Sequence, residues 1–242
     1  MDKTDTSFTG LHKFRGVNPA TGVVLYYTLP ALKDDEILKM EIKDAEGNLV
    51  RSFSSKADST YKKYDGGPND EPLLSKSKGL NRFVWDMRYS TMPGVPDVYI
   101  ESSYRGHKAS PGKYAVSILI NGKKIMADAT ILSNPLYEID APTYKEYHTL
   151  MNQMEQEVTK MHQIVNSLNA KRILNTLSAE EKYTSLKKEG DVLVKKMKVW
   201  DEDMVQRRSK AYDDVENFEN KFTANYMFLI NQTESDLPRV NQ

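Results

Sequence analysis

The chain contains no cysteine, so disulfide bonds, a thiolate nucleophile and cysteine-bound zinc are all excluded. It also lacks net charge, because 34 basic and 34 acidic side chains cancel to +0. So balanced a chain exerts no long-range pull on nucleic acid or on an anionic lipid surface. The Lys195-Lys196-Met197-Lys198 and Arg207-Arg208 clusters sit beside Asp201, Glu202 and Asp203, which marks a solvated helix face. No apolar run approaches the roughly 18 residues of a membrane helix, so no membrane insertion is expected. Only four histidines are present, and no GxSxG, HExxH, Walker A or GxGxxG motif occurs. What remains is a globular composition of 242 residues, 39% hydrophobic and 28% charged, suited to one large domain or two small ones.

The two halves differ in period. From Val23 to Leu132 short apolar runs alternate with Gly, Pro, Asn and Asp. Val23–Leu29, Ile37–Ile42, Leu49–Phe53, Phe83–Trp85, Lys113–Ile120 and the return from Ile125 to Leu132 predict strands. Gly47 and Asn121-Gly122 mark hairpin turns between them. Short antiparallel strands without interleaved helices predict a sandwich over residues 16–134, preceded by a tail over residues 1–15. Its core is expected around Phe83, Trp85 and Tyr114, with Asp86 and Arg88 paired at a strand end.

After Pro135 the period becomes helical. Tyr147, Met151, Met154, Val158, Met161, Val165 and Leu168 form one stripe, and Thr143 with Glu146 reads as its capping box. A second helix is expected from Ser178 and Glu181, with Leu186, Leu193, Met197, Trp200 and Met204 inward. A third, from near Asp213, carries Val215, Phe218, Phe222, Tyr226 and Leu229. Three such stripes predict a bundle of about three helices over residues 135–242, joined to the sandwich by a fixed junction. The fold class is therefore α+β.

Chemistry is sparse. His148 and His162 lie on one predicted helix about 21 Å apart and cannot share a metal, while His12 and His107 stand alone in loops. The loop Asp65-Gly66-Gly67-Pro68-Asn69-Asp70-Glu71 offers oxygen ligands for calcium through Asp65, Asp70 and Glu71, or is an ordinary polar turn. Two long connections, Ser54–Ser77 and Tyr89–Pro111, carry Tyr61, Tyr64, Tyr99 and Tyr104. These rings stack on a sugar ligand, anchor a protein partner, or cover the sandwich or the helices beside it. No catalytic residue is selected and no cofactor is expected.

Four segments together resemble a known family. They are Gly16-Val17-Asn18-Pro19-Ala20-Thr21-Gly22 with Val24–Tyr27, Glu41–Arg51, Gly79-Leu80-Asn81-Arg82-Phe83-Val84-Trp85-Asp86-Met87-Arg88-Tyr89, and Ser110–Tyr114. They look like the C-terminal region of secreted bacterial proteins that carry a sortilin-like propeller of BNR (Asp-box) repeats and are often labelled glycosyl hydrolases. The resemblance implies an Ig-like or fibronectin-III-like sandwich, similar to that of the flagellar hook-capping protein, followed by a helical tail that Val215–Phe222 resembles. It implies a secreted, periplasmic or cell-surface location, a protein partner such as the propeller, and an accessory role. The propeller and its Asp-box motifs are missing from this chain, and Met1–Ser7 has no apolar signal region. The expectation is a piece of a longer secreted protein, or a solitary version of the module. Two alternatives stand beside the docking module: a carbohydrate-binding module using the loop tyrosines, and a hydrolase active by itself through two facing carboxyls.

Overall fold

Strand residues alternate inward and outward with period two, and β-branched or aromatic side chains fill the inward positions. In a computed structural model describing residues 19–167 and 184–235, this pattern gives six strands. They are β1 (Val23–Leu29), β2 (Lys39–Lys43), β3 (Leu49–Ser54), β4 (Gly79–Trp85), β5 (Gly112–Ile120) and β6 (Lys123–Ile131). β1 pairs with β4 in one antiparallel sheet, and a second antiparallel sheet has the order β3-β2-β5-β6. The β2–β3 turn is closed by the Asp44 carboxylate, which accepts the Asn48 N–H at 2.7 Å, while Gly47 takes φ 86°. The β5–β6 turn places Asn121 and Gly122 in succession at φ 48° and 73°, as a tight hairpin requires.

The inward faces of the two sheets share one core. Tyr27, Leu29, Phe83 and Trp85 from the first meet Met40, Ile42, Val50, Phe53, Tyr114 and Val116 from the second. Aromatic pairs cross the gap: the Phe53 and Phe83 ring centres are 4.7 Å apart, and those of Trp85 and Tyr114 are 5.4 Å apart. Gly22 enters β1 at φ 136°, where a Cβ would collide with the Trp85 carbonyl, so the position admits no side chain.

Among the described residues three α-helices follow: α1 (Ala141–Ser167), α2 (Thr184–Met204) and α3 (Phe222–Thr233). α1 opens earlier than the capping-box pattern suggests. Asp140 caps it, accepting the Thr143 N–H at 2.9 Å, so Thr143 lies inside the first turn. The expected start of α2 at Ser178 and Glu181 lies outside the described residues. Leu193 is 57% exposed, so the face of α2 that packs is carried by Met197, Trp200 and Met204 without it. The third expected helix is divided. A short 3-10 turn (Tyr212–Glu216) comes first, and the Asp214 carboxylate accepts the N–H groups of Lys210 and Ala211, at 2.6 and 3.0 Å. α3 then buries Thr223, Met227 and Ile230, one position on from the expected Phe222, Tyr226 and Leu229 face.

The helices do not build a core alone. Met92, Val95, Val98, Ile100 and Tyr104, from the connection between β4 and β5, pack with Tyr147, Met151, Met154, Val158 and Val165 of α1. Met227 and Ile230 of α3 and Val205 complete this second core. The chain's two halves are thus interleaved, since sheet-side sequence fills the helical core.

Candidate functional site

The second core is organised by a row of polar side chains on α1. His148, Glu155 and His162 recur every seventh residue and therefore share a face with Met151, Val158 and Val165. That face receives the connection between β4 and β5. Glu155, buried, accepts the His107 backbone N–H at 2.6 Å through Oε1 and the His107 Nδ1–H at 3.0 Å through Oε2. With Nδ1 protonated, neutral His107 turns the Nε2 lone pair toward His148, whose Nδ1–H donates across 2.8 Å. Tyr89 stacks on both imidazoles, with ring centres 4.4 Å from His107 and 4.9 Å from His148. Further along α1, His162 Nδ1 donates to the Pro93 carbonyl at 2.6 Å and Asn166 to the Gly94 carbonyl at 2.9 Å.

A carboxylate–imidazole–imidazole relay of this kind can hold a proton and fix tautomers. It lies at the junction between the two halves, and among the described residues no Ser, Thr or Tyr hydroxyl is hydrogen-bonded to His148. Its evident work is to fasten α1 to the chain leaving β4. Composition and spacing along the sequence do not bring His107 to His148, because 41 residues separate them.

Protonation of His148 and of His162 is opposed by their surroundings. Burial holds His148 below the usual histidine range, and the neighbouring His107 imidazole adds to this against the opposing pull of Asp44, Glu155 and Glu46. Burial likewise lowers His162, against the Pro93 hydrogen bond, and its Nε2 has no partner among the described residues. Unfolded histidine binds a proton near pH 6.5, so below that pH the unfolded state takes up more protons than the folded one. Stability is therefore complete above about pH 7 and falls as the pH drops from about 6.5 toward the lowered folded values. Urea midpoints at a series of pH values between about 7.5 and 5 check this. His162→Asn, which retains a donor for Pro93, should flatten part of the slope; a midpoint independent of pH would contradict the account.

The buried arginines Arg51 and Arg88 are also engaged internally. Buried Arg51 donates to Glu71 Oε2 at 2.7 Å, Asp86 Oδ1 at 3.2 Å and the Tyr89 carbonyl at 3.2 Å. Thr91 also donates to Glu71, at 2.6 Å. Arg88 does not pair its guanidinium with Asp86. That group instead reaches Glu234, just beyond α3, at 2.6 Å and the Gly106 carbonyl at 2.9 Å, while Asp86 accepts the Arg88 backbone N–H at 3.2 Å. β4 ends at Trp85 and Met87 takes φ 58°, so alternation no longer holds Asp86 and Arg88 on one face, and Arg88 turns toward the helices.

Of the loop residues that sequence singles out for calcium, Asp65 and Asp70 are exposed and Glu71 is held by Arg51. Among the described residues no group of three or more His, Cys, Asp or Glu is placed to hold a metal ion. The four tyrosines lie in one neighbourhood, with Tyr104 buried and Tyr61, Tyr64 and Tyr99 partly buried. Tyr104 is 3% exposed, lies edge-on to His162, and its hydroxyl pKa is raised by burial and then by the Tyr64 charge. Tyr64 is half-buried against Gly67 and Gly94, and burial pushes its hydroxyl up to about 12. Tyr61 donates to the Pro68 carbonyl, and Tyr99 lies against Gly66. Tyr104 is thus a core residue and not an exposed stacking platform, because α1 covers it. Phe83, Trp85 and Tyr114 are buried between the sheets, and Trp200 is half-buried at the margin of the second core.

An open groove of about 1030 Å³ runs beside α2, bordered by Val95, Asp97, Val165, Asp201, Arg207 and Phe218. Its charges offset one another, with Arg207 paired to Asp201. Among the described residues no helix is long and apolar enough to cross a membrane. Compared with known proteins, the chain matches no family profile, no curated protein and no solved structure.

Proposed function

We propose that this chain is a non-catalytic interaction module, an Ig-like or fibronectin-III-like sandwich with a helical extension fixed against it. The two-stranded sheet facing a sheet of order β3-β2-β5-β6 supports the sandwich reading. The observation that carries the function is the internal use of the chemistry-bearing groups. His107, His148 and Glu155 bind one another, Arg51 and Arg88 bind carboxylates and backbone, and Tyr64 and Tyr104 fill space. Groups spent on holding a shape supply a rigid surface, which suits a domain that docks. The sequence resemblance gives the setting: a secreted or cell-surface bacterial protein with a sortilin-like BNR propeller as the docking partner.

The test is calorimetric titration of the purified chain with a separately produced sortilin-like propeller, beside a glycan array and a glycosidase screen. Saturable one-to-one binding to the propeller, with no sugar binding and no hydrolysis, is the expected result. Sugar binding abolished by Tyr61→Ala or Tyr99→Ala would replace this reading with a carbohydrate-binding module. Hydrolysis by the chain alone would overturn it.

A further inference from the structure

The two ends of the four-stranded sheet are finished differently. Along β3 the edge is covered, because the Leu74 N–H bonds to the Ser54 carbonyl at 3.0 Å and Glu71 reaches Arg51. β6 has no such cover among the described residues. Lys123, Lys124, Ile125, Met126, Ala127 and Asp128 are all exposed, whichever face they occupy. Ile125 pairs with Ile118 and shares the core-side face with Val116 and Tyr114, yet it is 67% exposed. Met126, on the opposite face, is 63% exposed. Open edges with apolar side chains are templates for another strand.

We infer that β6 is a self-association edge, at which two copies of this chain pair antiparallel about a two-fold axis through Met126. In an antiparallel ladder each residue points its N–H and C=O to the same side, and alternate residues point outward. A second strand therefore pairs residues of like parity, and a two-fold axis must pass through a residue. Placed on Met126, it sets Lys124 opposite Asp128 of the second copy, twice, with Ile125 opposite Ala127. Moved to Ile125, it sets Lys124 opposite Met126; moved to Ala127, it sets Asp128 opposite Met126. Only the Met126 axis neutralises the charges along the seam. Parallel in-register stacking would put lysine on lysine, so the same charges oppose open-ended assembly.

A seam of this length buries less than a standard interface, so the dimer is weak, with a dissociation constant of roughly 10 μM to 1 mM. Sedimentation velocity of the full chain across that range should show a monomer–dimer equilibrium. Lys124→Asp alone and Asp128→Lys alone should each weaken it about tenfold, and the double exchange should restore it. Because the chain has no cysteine, Met126→Cys introduces a single thiol that faces its own counterpart at a disulfide-compatible spacing. Mild oxidation should link that variant covalently. Lys123→Cys, about 20 Å from its counterpart in the seam, should stay unlinked. A monomer at every concentration overturns the inference, whether the edge stays open or is occupied by something else. Failure of the double exchange to restore association, or equal linking at both positions, overturns it as well.

Discussion

Trp85→Ala should cost about 4 kcal/mol of folding stability, the range for removing a fully buried large aromatic side chain. Trp85 is 0% exposed, meets Tyr114 edge-on, and donates its indole N–H to the Arg88 carbonyl at 3.0 Å. Truncation leaves a cavity between the sheets and orphans that carbonyl at the point where the chain leaves β4 for the helices. A domain's total stability is about 5–15 kcal/mol, so the variant should lose much of its folded margin. Urea unfolding measures this, with Trp85→Phe costing less because it refills most of the volume without the donor. A loss below about 1 kcal/mol for the alanine variant would mean the sheets do not close on this side chain.

Glu155→Ala should cost about 3 kcal/mol, nearly all of it from what it leaves behind. The His107 backbone N–H and Nδ1–H would both remain buried without an acceptor, and the tautomer that receives His148 would no longer be fixed. Glu155→Gln should be milder, at about 1 kcal/mol. Its amide oxygen can still accept the backbone N–H, and its amide N–H can donate to Nδ1 if both imidazoles reverse their tautomers. The 15N chemical shifts of the two rings read that reversal directly. Unchanged tautomers with unchanged stability in both variants would show that the carboxylate does not organise the junction.

How far the sequence reveals this molecule depends on the range of each interaction. Strand alternation and hairpin turns are local, so Val23–Leu29, Leu49–Phe53 and Lys113–Ile120 are legible, as is the Tyr147–Val165 stripe of α1. Helix ends depend on single hydrogen bonds, and there Asp140 displaces Thr143 as the cap while Asp214 closes a short turn that divides the third helix. The Met92–Tyr104 connection has no regular period to say whether its tyrosines cover the core or bind a ligand, and it supplies half a core. A hint of its destination was present: His148, Glu155 and His162 are polar residues placed every seventh position on an apolar face. Buried polar groups need partners. The partners, His107 and the Pro93 carbonyl, are distant in sequence, and only the fold brings them within reach.

The central claim is that the sheets and helices form one unit, with the polar residues of the junction spent on joining them. The most direct test follows unfolding with one probe in each half. In a Trp200→Phe variant, Trp85 fluorescence reports the sheets alone, while ellipticity at 222 nm reports the helices. The account predicts one shared urea transition at the same midpoint for both probes. Separate transitions, with the helices melting while Trp85 remains buried, would contradict it.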